Sequence, residues 1–84
     1  MLKIYGTMMC EDCVACVEKL TEKGITFEFL DFTKDLGYFK EFMRLRDTSP
    51  LFDEVRENGG IGMPCVQLES GEWTLEWERV VLGG

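Results

Sequence analysis

The chain has 84 residues, 45% of them hydrophobic and 12% aromatic, enough for one small domain with a single core. Nine Lys and Arg stand against sixteen Asp and Glu, a formal charge of −7 that argues against binding to nucleic acid or to an anionic membrane surface. Histidine is absent, which removes Ser-His-Asp and Cys-His catalysis, imidazole metal ligation and any histidine pH switch.

In chain order, Leu2 to Tyr5 is a short apolar run ended by Gly6, which predicts a buried strand. Glu11 to Lys23 places Val14, Val17 and Leu20 on one helical face, and Gly24 supplies the stop. Ile25 to Phe32 alternates and then turns apolar, a second strand. A helix between two strands predicts a right-handed crossover with the strands parallel. Leu36, Phe39, Phe42, Met43 and Arg46 set a second helical period. Ser49 as cap, Pro50 at the first helical position, Asp53 and Glu54 in the first turn and Gly59 at the end predict a short third helix. Met63 to Leu68 reads as a strand and Ser70-Gly71 as a hairpin turn. Trp73, Leu75 and Trp77 then alternate with acidic and polar residues in an antiparallel partner. Glu78 to Leu82 fits either a helical turn or an extended tail. The expected order is β-α-β-α-α-β-β, one α/β domain over residues 1–84 with a mixed four-stranded sheet.

Chemistry concentrates in the cysteines. Cys10-Glu11-Asp12-Cys13 joins the first strand to the first helix. There the orphan N–H groups and the helix dipole favour a thiolate, and the second Cys lies one turn on, within reach of a disulfide. Glu11 and Asp12 oppose that thiolate electrostatically while suiting a helix N-terminus. The N-terminus lacks a signal-peptide pattern and no apolar run approaches a membrane span, so a soluble cytoplasmic protein is expected. In a reducing compartment such spacing points to catalysis or metal binding. Met63-Pro64 follows the glycine-rich Gly59-Gly60-Ile61-Gly62 and begins the third strand, a position suited to a cis bond.

IYGTMMCEDC and GIGMPCVQLESGE together make the chain resemble the glutaredoxin branch of the thioredoxin-fold family, over essentially its whole length. The resemblance implies a three-layer thioredoxin-like sandwich and a thiol–disulfide oxidoreductase. It implies Cys10 as nucleophile, Cys13 as resolving thiol and Pro64 as a cis-proline, with the Met63 backbone pairing to an extended substrate; Met9 is a substrate-contact candidate from its position beside Cys10. Its partners would be disulfide-containing proteins or small thiols, its electron donor glutathione or a thioredoxin-reductase-type system, and no dissociable cofactor is required. The sequence departs from the family in three places. Glu11 and Asp12 replace the usual proline and aromatic, no basic residue precedes the motif, and no Gly-Gly-x-Asp-Asp stretch occurs after the hairpin.

Three readings of Cys16 and Cys65 stay open: small buried hydrophobes, auxiliary redox thiols, or, with Cys10 and Cys13, a four-cysteine zinc or iron–sulfur site. Phe27, Phe29, Phe32, Phe39 and Phe42 are expected in the core, and Trp73 and Trp77 on one packing face of the last strand. Met8 and Met9 suit either an apolar rim or packing beneath the turn. Glu69, Glu72, Glu76 and Glu78 read as a solvated face. Size and charge favour a monomer.

Overall fold

A computed structural model describes residues 1–82. Strand β1 (Leu2–Gly6) leads to helix α1 (Glu11–Glu22), strand β2 (Phe27–Asp31), helix α2 (Leu36–Thr48), a 3-10 turn (Pro50–Phe52) continued by helix α3 (Asp53–Glu57), strands β3 (Cys65–Gln67) and β4 (Trp73–Thr74), and helix α4 (Trp77–Val81). The sheet order is β2-β1-β3-β4, with β1 and β2 parallel and the other pairs antiparallel. Side-chain alternation divides the core into two layers. Leu2, Ile4 and Val66 face Cys16 and Leu20 of α1 and the partly buried Trp77 and Val80 of α4. Tyr5, Leu30 and Cys65 face Phe42 of α2 and Phe52.

Local chemistry accounts for the boundaries. Asp35 caps α2 by accepting from the Gly37 N–H at 2.8 Å, and Ser49 accepts from the Leu51 N–H at 3.2 Å ahead of Pro50. The loop before β3 passes against Phe52 so closely that only glycine fits at Gly62: φ is +89°, and a Cβ there would lie 2.8 Å from the Phe52 ring.

Four expectations need correction. The buried stripe of α1 is Cys13, Cys16 and Leu20, with Val14 and Val17 only half-buried at its margins, because the thiols take the central line against the sheet. Phe39 is exposed and lies edge-on to Phe32 at 5.4 Å between ring centroids, so it flanks the core of which Phe42 is the centre. Strand β4 ends at Thr74, and Trp77 opens α4. Trp73 and Trp77 consequently pack on opposite layers, and the order gains a final helix, β-α-β-α-α-β-β-α.

Candidate active site

The turn after β1 sets up the site. The Met9 N–H donates to Thr7 Oγ1 at 3.2 Å and the Cys10 N–H to the Thr7 carbonyl at 3.1 Å, which delivers Cys10 to the N-cap of α1. The Cys10 carbonyl accepts the first helical bond from the Val14 N–H at 3.0 Å, and the Cys10 side chain makes no capping bond. The thiol is partly exposed, at a helix start whose first amides lack intrahelical partners.

Cys13, one turn on, is fully buried. Burial pushes its thiol up to about 12. A hydrogen bond from the Thr7 backbone works in the opposite direction, and the thiol's own hydrogen bond to the Cys10 sulfur, with the repulsion between the two sulfurs, adds to the rise. Cys13 therefore keeps its proton well above neutral pH, one helical turn from Cys10. Contact is close on the other side too: a Cβ on Gly6 would fall 2.6 Å from Cys13 Sγ.

The Met63–Pro64 bond is cis, as the family resemblance implies. Tyr5 pairs with Cys65 across β1 and β3, so the buried Pro64, directly before β3, lies at the end of the sheet at which Gly6 closes against Cys13. Met9 is 86% exposed and Met8 about half exposed, so the two residues before Cys10 present apolar side chains to solvent; Met63 is half-buried. Sequence reasoning missed Gly6 and Thr7 as site residues. A glycine ending a strand four residues before a CxxC pair carries that signal, whereas the Thr7 backbone contact leaves none.

Cys16 and Cys65 do not join this group. Each is fully buried, Cys16 in the layer beneath α1 and Cys65 in the layer beneath α2, with the sheet between them. Burial raises both thiols, Cys16 to about 11 with a contribution from the nearby Glu78, and Cys65 to about 12. Among the described residues no three Cys, Asp or Glu side chains stand close enough to hold a metal ion. A four-thiolate zinc or cluster site within one chain is therefore not assembled.

The glutaredoxin family model matches residues 2–66, more than half of the chain, from β1 through the cis-proline to β3. The chain belongs to the glutaredoxin family. Its four-stranded mixed sheet and flanking helices are the thioredoxin-like α/β fold that membership implies, and with them comes a glutaredoxin-like thiol-redox role. An uncharacterised protein of Haemophilus influenzae is 31% identical over 77 residues, covering 92% of this chain and 90% of the relative. No solved structure gives a significant match. No helix among the described residues of this glutaredoxin-family protein is long and apolar enough to cross a membrane.

Proposed function

We propose that the protein is a dithiol oxidoreductase that reduces protein or glutathione mixed disulfides, with Cys10 as nucleophile and Cys13 as resolving thiol. The observation that carries this reading is the asymmetry of the pair: Cys10 is partly exposed at a helix N-cap, while Cys13, one turn on, is fully buried and keeps its proton. Cys10 attacks one sulfur of the substrate disulfide, the S–S bond breaks, and the leaving thiolate takes up a proton. Cys13 then gives up its proton and attacks the Cys10 sulfur, which closes the Cys10–Cys13 disulfide and releases the second substrate thiol. Two electrons pass to the substrate, and glutathione or a reductase returns them. The Met63 backbone beside Pro64 would pair with the extended substrate chain. Catalysis by a monomer in the cytoplasm, without a dissociable cofactor, fits the size and composition.

In a mixed-disulfide reduction assay Cys10→Ser should abolish turnover, and Cys13→Ser should accumulate a covalent adduct through Cys10, visible by mass. Turnover retained by Cys10→Ser is the result that ends this assignment.

A further inference from the structure

The surroundings of Cys10 bear on which disulfides reach it. Glu11 and Asp12 are exposed in the first turn of α1, directly after the thiol. Strands β1 and β2 run parallel with Gly6 opposite Asp31, and the Phe32 N–H donates to the Gly6 carbonyl at 2.9 Å, so the end of β2 lies beside the same turn. Asp31 accepts from the Thr33 hydroxyl at 2.6 Å and from the Thr33 N–H at 2.8 Å, and these two bonds hold its carboxyl below the usual carboxylate range. Asp35 is exposed at the start of α2. Lys34 is the basic residue in this stretch.

The arginines of the segment leading to Pro64 offer no counterweight. Arg46 donates to the Gly60 carbonyl and lies 3.5 Å from Asp47. Arg56 donates to the Arg46 and Ser49 carbonyls and to Asp53. Both are spent on the loop. The exposed residues directly before the thiol, Met8 and Met9, are apolar. A disulfide approaching Cys10 thus meets a negative field beside apolar side chains, which attracts cations and repels carboxylates.

Resting on the oxidoreductase reading, we propose that this site selects by charge, and that its substrates are protein disulfides whose cysteines are flanked by Lys or Arg. Small anionic disulfides are then its poor substrates.

The test is single-turnover reduction of two disulfide-closed peptides by the pre-reduced full chain. The peptides are identical except that two lysines or two glutamates flank the cystine. Each turnover oxidises Cys10 and Cys13 to their disulfide and passes two electrons and two protons to the peptide, so no other reductant is needed. At low salt the lysine peptide should react about tenfold faster than the glutamate peptide, within the range that electrostatic steering supplies. The gap should close near 0.5 M salt, where screening acts within a few ångströms. The Glu11→Gln, Asp12→Asn variant should slow the lysine peptide and speed the glutamate peptide. A change in Cys10 reactivity alone would move both in one direction. Equal rates for the two peptides, or neutralising substitutions that leave their ratio unmoved, overturn charge selection while leaving the oxidoreductase intact. Failure to reduce either peptide overturns both readings.

Discussion

At the scale of single residues, Gly6 shows how tightly the reacting pair is built. The reason for glycine is contact, since an added Cβ would stand 2.6 Å from Cys13 Sγ and 3.8 Å from the Phe29 ring. Cys13 cannot move deeper, because it is already fully buried on the central stripe of α1. Gly6→Ala must therefore either push α1 off the sheet or rotate the Cys13 sulfur away from Cys10. Overpacking of this kind costs about 1–3 kcal/mol, and the variant's unfolding midpoint should fall accordingly. Closure of the Cys10–Cys13 disulfide should slow in parallel, as followed by mass after addition of an oxidised dithiol. An unchanged midpoint together with an unchanged closure rate would contradict the tight fit. The placement of Cys10 and Cys13 at the start of α1 was legible in the sequence, because a CxxC between a strand and a helix can hardly be placed otherwise. The burial of Cys16 and Cys65 on opposite layers was not, because one residue of strand parity at Cys65 decides the layer and spacing alone cannot reveal it.

Among the elements, those with strong local punctuation were readable: the parallel β1 and β2, α1 stopped at Gly24, α2, and the Ser49-Pro50 start of the third helix. Helix α4 was hidden because Trp73 and Trp77 are four apart, a spacing that keeps one face in a strand and in a helix alike. Trp77, Val80 and Val81 form the i, i+3, i+4 stripe that distinguishes it, and all three pack on the α1 layer. The segment between α2 and β3 was legible as helix and loop, but the fastening that holds it was not. Arg46 reaches from the last turn of α2 to the Gly60 carbonyl, Arg56 reaches back to the Arg46 carbonyl, and Met63-Pro64 hangs from the far end of that loop. For Arg46→Met two effects oppose each other. A charged hydrogen bond worth about 1.5–3 kcal/mol is lost, and a buried Arg46 Nε without a partner, a burden of about 1–3 kcal/mol, is relieved. Global stability should then shift by less than about 1 kcal/mol, while amides from Gly60 to Met63 exchange faster with solvent deuterium. Arg46→Lys should not restore protection, since an ammonium lacks the planar fork. Exchange unaltered in both variants would show that the loop does not depend on this arginine.

For the molecule as a whole, three of four cysteines serve a small core as apolar volume, and that use makes stability depend on alkaline pH. Burial raises Cys16 to about 11 and Cys65 to about 12 from an ordinary value of 9.0. A thiol whose pKa is raised on folding is protonated in the native state where the unfolded chain has already lost its proton. Its contribution is therefore complete below pH 9, where both states are protonated, and disappears as pH rises toward the folded value. Within that window each thiol withdraws about 1.4 kcal/mol per pH unit, against a total of about 5–10 kcal/mol for a domain of this size. Tyr5 is also raised, by burial and then by its hydrogen bond to Glu41, but from 10.0, so its effect begins a full unit higher. Urea unfolding followed from neutral pH to pH 10 isolates the thiols from Tyr5. The wild type should lose stability steadily above pH 9. The Cys16→Ala, Cys65→Ala variant should start lower, by about 1 kcal/mol per site for lost packing, and then decline less steeply, the remaining slope coming from Cys13, whose thiol is raised as well. Parallel curves for the two proteins would mean that these thiols are not deprotonation-sensitive parts of the core, and that the alkaline loss comes from repulsion among the excess carboxylates and the remaining ionisable groups instead.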